Sequence, residues 1–293
     1  MKRAILALCM LLTAAPAMAD DACKLKTVAS LPLTVQSNRS FVPISVGGQP
    51  LQMLVDTGGL ISTISPKTAE SLGLELRTMP TSHVRVAGGL DIQYYVRAQN
   101  VVIGGLATPN FQFLVQPPRL GEGFNGSIGP DILAAFDADF DFGGGKLNLF
   151  SPDHCPGRVT YWTDGDVARL PFTLSETRQI HVNMQLDGKE LKVLIDTGAS
   201  HSVLSLDAAS SLFGISEADP ALKYIGRVNN KMKGWSYPFK ALSFGGITVN
   251  NPEIIVTDDE TRTNTIGMDV LGKLHMYIAY KERAIYLTPA DAH

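Results

Sequence analysis

Leu51-Gln52-Met53-Leu54-Val55-Asp56-Thr57-Gly58-Gly59 is answered, 140 positions on, by Leu191-Lys192-Val193-Leu194-Ile195-Asp196-Thr197-Gly198-Ala199-Ser200. Each copy runs an apolar strand into a carboxylate and then into a glycine, where the backbone turns. A purely structural repeat has no need of a charged side chain there, since charged groups are seldom buried without a partner. Two carboxylates brought face to face could share a proton and activate a water.

The flanks repeat in the same order. Leu31-Pro32-Leu33-Thr34 matches Leu170-Pro171-Phe172-Thr173, and Val46-Gly47-Gly48 matches Leu186-Asp187-Gly188. Ile103-Gly104-Gly105 matches Phe244-Gly245-Gly246. Ile128-Gly129-Pro130-Asp131-Ile132-Leu133 matches Ile266-Gly267-Met268-Asp269-Val270-Leu271, at an offset of 138. Lys146-Leu147-Asn148-Leu149 matches Ala284-Ile285-Tyr286-Leu287. The sequence therefore reads as a duplication, with two similar lobes related by a pseudo-two-fold axis.

The texture of both halves is all-β: short runs rich in Val, Ile, Leu, Phe and Tyr, separated by Gly, Pro and Asn. Strands are expected at 41–46, 51–55, 94–98, 100–103, 111–115 and 146–150, and again at 180–186, 191–195, 241–244, 253–257 and 284–288. A few short helices are predicted. Ser65 to Gly73 and Ser205 to Gly214 each have a capping Ser and a terminating Gly, and 131–136 and 269–275 form a second matched pair. Helix capping is the expected role of Asp131 and Asp269. The domain reading is 1–19 leader, 20–28 short N-terminal segment, 29–150 first lobe, 151–167 linker and 168–293 second lobe. The linker is marked by Pro152, Pro156 and Gly157.

The 293 residues suffice for two domains, and 45% of them are hydrophobic, so each lobe can bury its own core. A net charge of −3 with no Lys/Arg run excludes a nucleic-acid reading. Met1-Lys2-Arg3, the apolar run from Ala4 to Ala15 and Ala17-Met18-Ala19 fit a cleavable export leader, with the mature start near Asp20. The apolar run is too short to span a bilayer. A soluble exported protein, periplasmic or secreted, is expected; an uncleaved anchor is the alternative. Cys23 and Cys155 then remain. In an exported chain they permit one disulfide, with two free thiols as the alternative. Asp153-His154-Cys155 lacks a second ligand pair at metal spacing, so no metal or other cofactor is expected.

Two Asp-Thr-Gly copies, each followed about seventy positions later by Ile-Gly-x-Asp-x-Leu, resemble the aspartic proteases. The single two-lobed chain is similar to the pepsin type, and Gly or Ala directly after each motif to the retroviral type. The resemblance covers roughly residues 29–287 and implies two acid-protease-type β-barrel lobes. It implies Asp56 and Asp196 as the catalytic dyad, with Thr57 and Thr197 bonding across the pseudo-axis. It implies Gly58 and Gly198 as the residues permitting the turn under the carboxylates, with Ser200 supporting the second loop. Gly129 and Gly267 would leave room behind the loops. The family covers its cleft with hairpin flaps, and the candidates are Val84 to Tyr95, with Gly88 and Gly89 at the tip, and Tyr224 to Tyr237, turning near Asn229 and Asn230.

The activity implied is that of an exported endopeptidase acting on a peptide or protein substrate in extended conformation. A monomer is expected, because the internal symmetry already completes the site. A catalytically silent binding module of the same fold is the alternative, since a fold does not fix a function; Leu60, where a small polar residue is usual, gives it footing. His201 reads as a surface or subsite residue. Gly59 and Ala199 stand where the pepsin type carries a hydroxyl that supports the carboxylate, which predicts a mildly acidic optimum.

Overall fold

The computed structural model describes residues 23–80, 84–86, 90–117, 123–228, 232–259, 261 and 263–290. The expected leader, residues 1–19, lies outside them. Strands dominate, as the alternation in the sequence dictates. Ser40–Val46 buries every second residue, and so does Ile180–Leu186. Gln49–Val55 and Lys189–Ile195 carry the same burial sequence position by position, ending in three buried residues just before Asp56 and Asp196. Those last positions are covered on both faces, which is why their apolar character is continuous rather than alternating.

Within each lobe the topology repeats. Ser40–Val46 folds back on Gln49–Val55, and Ile180–Leu186 on Lys189–Ile195. The turns place Gly47-Gly48 and Asp187-Gly188 at positive φ, the backbone that a two-residue hairpin needs. The strand Gly126–Ile128 then enters parallel to Gln49–Val55, and Thr265–Ile266 enters parallel to Lys189–Ile195. The first lobe closes as an eight-stranded sheet.

Six strands from both lobes share a further sheet, in the order Thr27–Pro32, Lys146–Phe150, Asp137–Asp141, Leu274–Ala279, Ala284–Pro289 and Ala168–Leu174. At its centre Asp139 lies opposite Tyr277, its own counterpart at the offset of 138. An antiparallel pair in which a residue faces its own repeat is what a two-fold axis between the strands produces. The sheet continues through Ala168–Leu174 into the second lobe.

Two of these strands differ from the sequence reading. Residues 269–275 do not stay helical: the helix is Met268–Leu271, and Leu274–Ala279 is a strand buried at every position. The partner helix is Pro130–Leu133, and Asp137–Asp141 is a strand. The short helices Pro66–Ser71 and Leu206–Phe213 form as expected, with Ser65 and Ser205 accepting the capping N–H groups of Thr68 and Ala208.

Residues 151–167 carry no strand or helix, yet they pack on the shared sheet. Val159 is buried, and Trp162 stacks on His275 with ring centroids 4.3 Å apart. His154 meets Asp137 at 2.5 Å, and His275 meets Asp139 at 2.7 Å. Tyr161 donates to Asp139 at 2.6 Å. Cys23 and Cys155 are joined by a disulfide, so the start of the first strand is tied to the same segment. No helix among the described residues is long and apolar enough to cross a membrane.

Candidate active site

Each active loop leaves the end of a buried strand. Asp56 N–H donates to the Ile128 carbonyl at 2.9 Å, and Asp196 N–H to that of Ile266 at 3.0 Å. The inserted parallel strand thus fixes the backbone on which each carboxylate rides. Thr57 and Thr197 then clasp the loops together. Thr57 N–H donates to Thr197 Oγ1 and Thr197 N–H to Thr57 Oγ1, both at 3.1 Å. The hydroxyls donate onward to the Ile195 and Val55 carbonyls at 2.7 and 2.6 Å. Both threonines are wholly buried, so these four bonds run where water does not compete.

The clasp brings Asp56 and Asp196 into hydrogen-bonding contact with each other. Both remain partly exposed. Burial pushes the Asp56 carboxyl well above the ordinary carboxylate range, and the charge and hydrogen bond of Asp196 raise it further against the N–H groups of Gly59 and Gly58. Burial raises Asp196 too, opposed by the Gly198 N–H, by Asp56 and by the N–H groups of Ala199 and Gly58. Gly198 and Ala199 donate to Asp196 Oδ1 at 2.8 and 3.1 Å. Two carboxyls in contact cannot both ionise cheaply, so the pair holds one proton over a working range, and its titration belongs to both.

Gly58 and Gly198 are required for a reason other than the turn. Neither has positive φ. A Cβ on Gly58 would lie 2.2 Å from Asp196 Cγ, and one on Gly198 would lie 2.6 Å from Asp56 Oδ1. Each glycine makes room for the opposite lobe's carboxylate. The expectation for Gly129 and Gly267 holds: a Cβ there would meet the backbone of Ile61 at 2.7 Å or of His201 at 2.6 Å.

Asp131 and Asp269 do not occupy the N-cap positions of their helices, although Asp269 Oδ1 accepts the first-turn N–H of Val270 at 3.0 Å. The N-caps are Gly129 and Gly267, without a side-chain bond. Instead Asp131 Oδ1 accepts from Ser62 N and Oγ at 2.8 and 2.7 Å, and Ser62 Oγ accepts from Gly129 N–H at 2.9 Å. Asp269 holds Ser202 in the same way, at 3.0 and 2.7 Å, with Gly267 N–H donating to Ser202 Oγ at 3.1 Å. The serines that anchor the returning arms of the loops are thus Ser62 and Ser202. The bond Ser200 makes is through its carbonyl, which accepts from Asn38 Nδ2 at 3.4 Å. Gln179 Nε2 donates to the Gly58 carbonyl at 2.5 Å from the other side.

Ser62 and Ser202 stand 140 positions apart, so the repeat itself carried the signal for them. Asn38 and Gln179 carried none: their counterparts at that offset, Arg178 and Arg39, are of another type. His201 is exposed. Gly88, Gly89, Asn229 and Asn230 lie outside the described residues. The arms of their hairpins are described: Val84–Val86 pairs with Leu90–Ile92, and Lys223–Val228 with Met232–Ser236. Among the described residues no group of three His, Cys, Asp or Glu side chains could hold a metal. A groove of about 580 Å³ beside Arg169, Glu282 and Tyr286 shares no lining residue with the active loops.

Comparison with known proteins agrees with this geometry. A search of curated proteins gave no match. The family model described as "Aspartyl protease" matches residues 42–132 and again residues 182–270, one match in each lobe and each containing one Asp-Thr-Gly. Together the two matches cover more than half of the 293 residues, and the chain belongs to the aspartyl protease family.

Proposed function

We propose that this protein is an exported, monomeric aspartic endopeptidase that cuts peptide bonds with a water activated by Asp56 and Asp196. The observation that carries the reading is the reciprocal Thr57–Thr197 clasp, which sets the two carboxyls in contact while leaving them partly exposed. In the singly protonated pair, the ionised carboxylate takes a proton from the attacking water. The neutral partner hydrogen-bonds the scissile carbonyl and passes its proton on as the tetrahedral adduct forms. Such acid–base work contributes about 10²–10⁴-fold in rate. Holding an extended peptide against the flap hairpins, by added-strand pairing, would supply further acceleration.

Export is supported by the charged start, short apolar run and Ala17-Met18-Ala19, and by a disulfide of the kind that persists in oxidising compartments. The test is incubation with a mixed peptide library, with and without a statine-type transition-state mimic, reading cut sites by mass. Asp196→Asn should lower kcat/KM by at least about 10³-fold with peptide binding retained, because it leaves no carboxylate partner for the shared proton. Cleavage surviving that substitution, or none by the wild-type chain, sinks the reading.

A further inference from the structure

Gln179 comes from the second lobe but contacts the first lobe's catalytic loop. It follows the turn between Ala168–Leu174 and Ile180–Leu186, where Arg178 has φ 64°. The turn is closed by Arg178 N–H to the Ser175 carbonyl and Ser175 N–H to the Gln179 carbonyl, both at 3.0 Å. The Gln179 side chain has little freedom. Its Oε1 accepts from Thr177 Oγ1 at 3.1 Å and from Ser175 Oγ at 3.5 Å. A carbonyl only accepts, so the end of the amide that faces Gly58 is the donor, and Nε2 gives its proton to the Gly58 carbonyl at 2.5 Å.

The Gly58 carbonyl belongs to the peptide unit whose other edge is the Gly59 N–H, and the Asp56 carboxylate lies against that residue: a Cβ on Gly59 would fall 2.8 Å from Asp56 Oδ2, and the Gly59 N–H favours the ionised carboxylate. The unit is planar, so fixing its carbonyl fixes the direction of its N–H. A hydrogen bond accepted at the carbonyl also polarises the N–H and strengthens its donation. In the reverse direction the first lobe's Asn38 Nδ2 donates to the Ser200 carbonyl, at 3.4 Å, which is not the peptide unit equivalent to Gly58–Gly59. Arg39, the counterpart of Gln179, lies over the Phe124 ring, and its Nε has no hydrogen-bond partner among the described residues. Among the described residues no side chain donates to the Gly198 carbonyl. The first loop is also the one with Leu60 in place of Ser200.

We infer that Gln179 is a positioning residue: it acts across the lobe interface, through the Gly58–Gly59 peptide, to orient and support the Asp56 carboxylate. The inference rests on the peptidase reading for its consequence in catalysis, and its test separates the two. Gln179→Met keeps the length and removes the donor. Thr177→Val, at an exposed position, leaves the donor and frees the amide to turn. Gln179→Arg restores a donor at the end of a long chain.

The measurements are pH–rate profiles on a fluorogenic peptide and a carbon-13 carboxyl NMR titration of the Asp-labelled protein. Gln179→Met should lower kcat about tenfold, the effect of one lost hydrogen bond, with KM within about twofold. The acid limb and the dyad's NMR titration should both move to higher pH, because the ionised form loses support. Thr177→Val should move them less in the same direction, and Gln179→Arg should bring them back toward wild type. An unmoved titration in Gln179→Met, or lost thermal stability with the acid limb unchanged, overturns the inference. If Gln179→Met does not fold, the Thr177→Val titration decides alone. A wild-type protein that cleaves no peptide overturns only the peptidase reading; the NMR titration still decides the role of Gln179.

Discussion

The two lobes were built from one repeat, and they differ in how firmly each part is tied down. Around the carboxylates they are nearly superimposable in their bonding: the same strand insertion, the same threonine clasp, the same Asp–Ser–Gly anchor. Away from them they diverge. The second lobe's hairpin Lys223–Val228/Met232–Ser236 joins its sheet through Ile254–Thr257. In the first lobe, Val84–Val86 and Leu90–Ile92 pair only with each other among the described residues. The first lobe's sheet stands alone, whereas the second lobe's runs into the shared six-stranded sheet. The bonding is therefore the same where the two carboxylates are placed and differs in the two flap-candidate hairpins.

The largest predicted effect attacks the sheet the lobes share. His154 and Asp137 are both buried, and removing one partner leaves the other uncompensated. His154→Ala should cost about 3–5 kcal/mol, the usual toll of breaking a buried pair, and lower Tm by on the order of 10 °C in a scanning calorimeter. The pH dependence follows from the pair. Burial pulls the His154 imidazole down, but its bonds to Asp137 and to the Cys155 carbonyl, with the Asp137 and Glu282 charges, leave it above its usual value. Burial also holds Asp137 above the usual carboxylate range, against its bond to His154. Both shifts mean that the native state binds protons more tightly than the unfolded chain. The imidazole's share of the stabilisation is complete below its unfolded value of about 6.5 and fades as pH rises through the folded one, whereas the share of Asp137 is complete only below the ordinary carboxylate range and is lost as pH rises through its own raised value. His154→Ala should remove that slope; an unchanged slope would show that another group produces it.

A smaller effect tests the sameness of the two anchors. Asp131→Ala strips the partner from Ser62, and Asp269→Ala strips it from Ser202. Each leaves a buried N–H and hydroxyl short of an acceptor, so each should cost about 1–3 kcal/mol in urea unfolding. Activity should fall by a similar factor in both, as the returning arm of either loop loosens. If one variant is harmless and the other is not, the anchors are not equivalent and the symmetry stops short of the loops.

Much of this arrangement was legible before any coordinates. The Asp-Thr-Gly pair, the strand preceding each copy and the capped helices after Ser65 and Ser205 follow from local pattern alone. The centre of the shared sheet did not. Asp137-Ala138-Asp139-Phe140-Asp141 reads as a polar stretch, because its aspartates are buried against histidines from distant parts of the chain. Leu274–Ala279 is apolar but for His275 and shows no alternation, which does not separate strand from helix. Nor could local sequence reveal that Gly58 and Gly198 are small for the sake of the opposite carboxylate, or that Gln179 reaches Gly58. Those facts exist only once two lobes meet.

The smallest effect probes the one difference at the motif itself, Gly59 against Ala199. A Cβ on Gly59 would fall 2.8 Å from Asp56 Oδ2, so the first loop has no room for a side chain there, whereas the second already carries a methyl. Ala199→Ser places a hydroxyl beside a carboxylate to which its own loop offers the backbone N–H groups of Gly198 and Ala199. A donor that bonds the ionised form favours it, so the dyad's lower apparent pKa should fall and the acid limb of kcat/KM should move down by roughly half a unit to one unit. The alkaline limb, set by loss of the shared proton, should move less, because the partner carboxyl keeps its own surroundings. Wild-type protein should therefore work best at mildly acidic pH and the serine variant slightly lower. A wild-type optimum near pH 2 would mean that the pair is already stabilised by donors other than these N–H groups. In that event the missing hydroxyl does not set the working range.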